Sequence, residues 1–113
     1  MICTIDDVRK AYPDQTTTDE QLQDAVSTAS AFIEKVTGKT FEEPLPYHHP
    51  LNLACRKIAW YELHPDKKER LGVKEEKLEG YSYTRAKAPV IYGDPEVDRI
   101  LVLYTPGVRV VAG

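Results

Sequence analysis

Apolar residues recur at helical spacing in four places along this chain, and each stretch is bracketed by residues that start or stop a helix. The first is short. Thr4-Ile5-Asp6-Asp7 matches the Ser/Thr-x-x-acid start signal, and Asp6 and Asp7 fall where the helix dipole is positive. Ile5, Val8 and Tyr12 form its stripe, and Pro13 ends it because proline disfavours a helical residue before it. After the polar stretch 14–17, Thr18 and Gln21 repeat the capping pattern, with Asp19 and Glu20 in the first turn. Leu22, Ala25, Val26, Ala29, Phe32, Ile33 and Val36 then recur with the spacing of a helix that buries one face. Gly38 closes it, since a left-handed C-cap residue carries no strain without a Cβ.

Residues 39–50 contain Pro44, Pro46 and Pro50, a density that predicts an extended crossing pinned to the core by Phe41, Leu45 and Tyr47. A third helix is predicted from about Leu51 to Leu63. Leu51, Ala54, Cys55, Ile58 and Ala59 form one stripe, while Leu53, Trp60 and Tyr61 lie off it. A helix apolar on more than one side needs cover on more than one side, from its own bundle or from a partner chain. Asp94-Pro95-Glu96 starts the last helix with a cap, a proline at the first position and an acid. Val97, Ile100, Leu101 and Tyr104 form its stripe, and Thr105-Pro106-Gly107 stops it.

Between the third and last helices the pattern changes. Residues 64–77 are dominated by charges of mixed sign, which reads as a solvated excursion. Leu78-Glu79-Gly80-Tyr81-Ser82-Tyr83-Thr84 alternates tyrosines with small polar residues, an extended or strand-like pattern in which Gly80 permits a turn. The expected fold is therefore mainly α: one domain over residues 1–113, a small bundle of about four helices. A long loop or short β-hairpin joins the third helix to the last, with 64–93 a mobile or assembly loop and 105–113 an apolar tail. Connections of that length in a compact domain are usually functional.

Composition narrows the function classes. With 113 residues, 42% hydrophobic and 29% charged, the chain can bury one compact core. Its net charge of −3 argues against a tight nucleic-acid binder, whose binding face is ordinarily basic. Near-neutral walls would nonetheless suit a conduit through which DNA passes without being gripped. No apolar run reaches the ~18–20 residues of a membrane span, and the acidic start MICTIDDVRK is unlike a signal peptide. Cys3 and Cys55 are the two cysteines. Cys55 sits in a helical stripe, where a buried free thiol is the simple expectation, and a reducing cytoplasm is the expected site of synthesis.

Catalytic and metal chemistry find little purchase. His48, His49 and His64 lack the Cys/His spacings of zinc sites, and adjacent histidines on an extended segment point opposite ways. No phosphate-binding or dinucleotide-binding glycine pattern occurs, and the acids are scattered through helix starts and charged loops. No catalytic residue, metal ligand or cofactor is assigned. A helical protein-interaction or regulatory module working through Trp60 and Tyr61 stays open, as does a small carboxylate-dependent enzyme. Trp60 and Tyr61 are a core packing pair or an interface anchor. Tyr81 and Tyr83 sit where no helix needs them, and contact either the chain's own bundle or a partner.

A short capped helix, a long amphipathic helix ending in Gly38-Lys39-Thr40-Phe41, a proline-rich crossing, a third apolar helix, and the stretch EEKLEGYSYT at residues 75–84 before an Asp-Pro-started helix ending in Leu103-Tyr104 form a distinctive order. In that order, the chain resembles the head–tail connector (head-completion, adaptor) proteins of tailed bacteriophages, including prophage members in Gram-positive bacteria. Those proteins typically carry a stretch close to SEKIGDYSYT at this place. Here Glu75 stands where serine is common, and Glu79 precedes the glycine. The likeness covers nearly the whole chain in element order, and residues 75–84 alone at motif level.

The resemblance implies a structural virion protein made in the bacterial host cytoplasm, not an enzyme. Such subunits assemble into a homo-oligomeric ring of about a dozen copies, a heterologous arrangement in which two different faces meet. The ring docks on the portal protein, meets a tail or head-closure protein on its other side, and extends the DNA channel. The free subunit is expected to be monomeric or weakly associated. Candidate subunit or partner contacts are Trp60, Tyr61, Leu78, Gly80, Tyr81, Tyr83 and Tyr104.

Overall fold

In the computed structural model the described residues are 1–13, 16–69, 71 and 91–105. They form a mainly helical, compact bundle: α1 (Ile5–Ala11), α2 (Asp19–Thr37), α3 (Pro50–Leu63) and α4 (Pro95–Tyr104). Both capping boxes close as the residues dictate. Thr4 accepts from the Asp7 N–H while Asp7 accepts from the Thr4 N–H, and Thr18 and Gln21 do the same for α2. Gly38 adopts the left-handed conformation (φ 72°) and its N–H reaches the Glu34 carbonyl. A residue with a Cβ would be strained at this left-handed φ.

Packing organises around α3. Gln21 to Thr28 of α2 lie beside Glu62 and Leu63, and Ser30 beside Cys55, so α2 and α3 run antiparallel. Lys57 and Tyr61 meet the start of α4 while His49 meets Tyr104 at its end, so α4 also opposes α3. Asp7 meets Asn52 and Tyr12 meets Trp60, so α1 runs with α3. The helix apolar on several sides is thus the one covered by the chain's own elements. Ile33, Leu51, Ile58 and Leu101 are at most 1% exposed, each contributing about 1.5–3 kcal/mol by leaving water.

Three boundaries differ from the sequence expectation. Pro50, counted with the extended crossing, is the first residue of α3; proline fits there because that N–H has no helical partner. Residues 65–69, expected as loop, are helical, started by the His64 carbonyl accepting from Lys67 and Lys68 N–H groups. Ile91 and Tyr92, expected within an assembly loop, pack against the core. Residues 72–90 and 106–113 lie outside the described residues, and with them the expected hairpin and most of the expected tail.

The N-terminus adds a core element that helical periodicity does not flag. Ile2 and Cys3 are fully buried. The Ile2 N–H donates to Ser30 Oγ at 3.0 Å, its carbonyl accepts from Leu45 N–H at 2.9 Å, and the Met1 ammonium donates to the Phe41 carbonyl at 3.1 Å. The chain start is therefore laced between α2 and the proline-rich crossing. Among the described residues no helix is long and apolar enough to cross a membrane.

Candidate interaction surface

Of the candidate contact residues, Trp60 and Tyr61 take their positions from α3. Its start is fixed by His49, whose Nδ1 accepts from the Leu51 N–H at 3.0 Å. His49, at the end of the extended crossing, is the half-buried cap of this helix. One turn on, a buried polar cluster welds α3 to the crossing segment. Asn52 is fully buried and donates to Asp7 Oδ2 at 3.1 Å and to the Leu45 carbonyl at 3.0 Å. Its Oδ1 accepts from Arg56 Nε at 2.8 Å, and Arg56 Nη2 donates to the Tyr47 carbonyl at 3.0 Å. The Arg56 guanidinium lies 3.9 Å from the Tyr47 ring centre, and Lys10 Nζ lies 4.3 Å from it. Each buried donor and acceptor is matched, so the cluster is structural.

At the other end of α3 lies a row of half-buried rings. Tyr12, Trp60, Tyr61, Tyr92 and Phe32 follow one another with centroid separations of 5.8, 5.2, 5.9 and 5.4 Å. His64 stacks on Trp60 at 4.4 Å, held by a 2.8 Å hydrogen bond between its Nδ1 and the Trp60 carbonyl. The row draws on α1, α2, α3 and the turn before α4. Offset and edge-on ring pairs at these distances are favourable beyond their buried area. Trp60 and Tyr61 therefore serve as packing anchors, yet both keep part of their surface in solvent.

Asp94 sets the charge of this end. Its Oδ1 caps α4 by accepting from the Glu96 and Val97 N–H groups, and its Oδ2 accepts from Tyr61 Oη at 2.6 Å and lies 3.2 Å from Lys57 Nζ. Burial pushes the Asp94 carboxyl up, but the Tyr61 hydroxyl, the Val97 N–H and Lys57 outweigh it and hold it below the usual aspartate value. Burial and the bond to Asp94 push the Tyr61 phenol up to about 12. Asp98 accepts from the Tyr92 and Gly93 N–H groups, which fixes the turn carrying Tyr92. Its burial dominates, and the carboxyl is raised. Tyr92 Oη donates to Glu62, which also pairs with Lys68 at 2.7 Å. The acids here are thus committed to caps, turns and ion pairs.

Trp60 and Tyr61 come together as adjacent members of the ring row. Tyr104 lies at the opposite end of α3, its ring 6.0 Å from that of His49 and beneath Lys39. Leu78, Gly80, Tyr81 and Tyr83 lie outside the described residues. Leu103 had not stood out in sequence, yet it is 74% exposed beside Tyr104. Its position off the α4 stripe was the available signal. A cleft of about 10 Å³, room for one water, lies among Tyr12, Trp60, Leu63 and His64. Among the described residues no three His, Cys, Asp or Glu side chains are placed to hold a metal ion. Comparison with protein-family models, curated proteins and solved structures finds no match to this chain.

Proposed function

We propose that this protein is a structural, non-catalytic subunit of a homo-oligomeric ring that joins a phage portal to its tail and extends the DNA channel. The observation that carries the reading is the stretch EEKLEGYSYT at residues 75–84, set between the third and last of four capped helices. The arrangement of apolar surface supports it. A closed ring needs two unlike faces on each subunit. One is offered by the half-exposed row at Trp60, Tyr61 and Tyr92; the other lies at the far end of α3 and α4, where Leu103 and Tyr104 meet solvent. Aromatic residues of this kind are the usual anchors of protein interfaces.

On this reading the partners are copies of itself, the portal protein and a tail or head-closure protein. The free chain is monomeric or weakly associated, and DNA passes without tight binding. Sedimentation of the protein alone and with a purified phage portal protein tests the assignment. A large co-sedimenting species with many copies per portal is expected. Replacing both Tyr81 and Tyr83 with alanine, or Leu103→Asp, is expected to abolish that species and leave the monomer folded. A gene neighbourhood without portal, capsid and tail genes, or no association with the portal at any concentration, overturns it.

A further inference from the structure

Cys3 and Cys55 lie 52 residues apart in sequence, yet their sulfurs are 3.0 Å apart. Both side chains are fully buried, and both thiols are free. Cys3 belongs to the N-terminal segment laced between α2 and the crossing, whereas Cys55 lies mid-way along α3. Ser30 Oγ, which receives the Ile2 N–H, stands 3.5 Å from Cys55 Sγ. The Cys3 S–H points at Cys55, and that hydrogen bond favours a thiolate on Cys55, with help from Ser30; the same contact and burial push the Cys3 thiol up. A covalent S–S bond is about 2.05 Å, so roughly 1 Å of closure separates this pair from a disulfide.

We infer that Cys3 and Cys55 are a redox-convertible pair whose oxidation staples the N-terminal segment to α3. The inference is independent of the ring assignment. With a small-molecule disulfide such as oxidised glutathione as oxidant, the Cys55 thiolate attacks one glutathione sulfur and expels a glutathione thiolate. The Cys3 thiol then loses its proton to water, attacks Cys55 Sγ in the mixed disulfide and expels the second glutathione thiolate. Two protein thiols lose two electrons in total, and one glutathione disulfide is reduced to two thiols. Because neither sulfur meets solvent, the first exchange waits on lifting of residues 1–4. Three hydrogen bonds and the buried Ile2 side chain hold that segment down, so its release sets the rate. A chain made in a reducing compartment and later exposed to an oxidising one would pass from the dithiol to the staple.

The native protein is incubated with a glutathione redox buffer, quenched with acid and read by intact mass and peptide mapping. The expected product is a monomer lighter by two hydrogens, with the Cys3 and Cys55 peptides linked. Its thermal midpoint should rise by about 5–15 °C over the reduced form, because the bridge constrains a long loop in the unfolded chain. Measured against glutathione, the effective concentration of the two thiols should be about 10²–10³-fold higher in the folded chain than in urea. Ile2→Ala should speed native-state oxidation by loosening the segment, a readout that does not depend on whether a cysteine variant folds. Retention of two free thiols, accumulation of glutathione adducts without the link, or linkage between chains overturns the inference, as does an effective concentration unchanged by unfolding.

Discussion

Replacing Asp94 separates the two jobs this side chain performs. Asp94→Ala removes the α4 cap, worth about 1 kcal/mol for an aspartate replaced by alanine. It also removes the 2.6 Å hydrogen bond from Tyr61 Oη, a bond to a charged acceptor in a part-buried site worth about 1.5 kcal/mol. The Lys57 ion pair adds about 0.5 kcal/mol, since Lys57 keeps its 2.8 Å partner Glu96. Taken as additive, the terms give an expected loss of about 3 kcal/mol. Asp94→Asn keeps an equally good cap and leaves a partner for Tyr61, so it should cost about 1 kcal/mol. Trp60 is the single tryptophan and stands in ring contact with Tyr61, so its fluorescence reports the relevant end of the bundle. In urea titrations with m near ~1.5 kcal/mol/M, Asp94→Ala should lower the midpoint by about 2 M and Asp94→Asn by less than about 1 M. Equal losses for the two variants, or a loss below about 1 kcal/mol for alanine, would refute Asp94 as the joint between α3 and α4.

The two buried aspartates should oppose each other in acid. Asp94 has a depressed carboxyl, so its stabilisation is present above the unfolded value near pH 3.8 and is lost as pH falls through the lower folded value. Asp98 has a raised one, so its contribution is present below that pH and is lost as pH rises through the higher folded value. Urea midpoints across acid pH should therefore show the deficit of Asp94→Asn shrinking as pH falls, whereas Asp98→Asn should lose an advantage that wild type holds only in acid. Asn52→Ala should cost about 2–4 kcal/mol by the same assay, because it strands Arg56 Nε and the Leu45 carbonyl inside the bundle. Gly38→Ala should cost about 1 kcal/mol, set by the left-handed backbone at φ 72°.

The helices were legible because their signals are local. Thr4, Thr18, Gly38 and Asp94 each announce a helix end through chemistry confined to one turn, and the α2 stripe places Leu22, Ala25, Val26, Ala29 and Ile33 in the core as its spacing requires. What stayed hidden depends on elements brought together from afar. Ile2 and Cys3 precede any periodic segment, so no moment marks them as buried. Asn52 and Arg56 look like surface residues of α3 until Asp7, Leu45 and Tyr47 arrive to satisfy them. The ring row is a tertiary product as well: Tyr12, Phe32 and Tyr92 come from three separate stretches, and only the Trp60–Tyr61 neighbours were adjacent in sequence. Leu103 shows the converse. Its exposure is plain once α4 is docked, while the sequence offers just a leucine one position off the stripe.

Electron microscopy of the protein mixed with a purified phage portal protein tests the proposed ring most directly. A closed ring of identical subunits seated on the portal, each presenting the Trp60 end toward one neighbour and the Leu103 end toward the other, is the predicted image. Bare portals at saturating protein, or single copies bound without contact to one another, would contradict it.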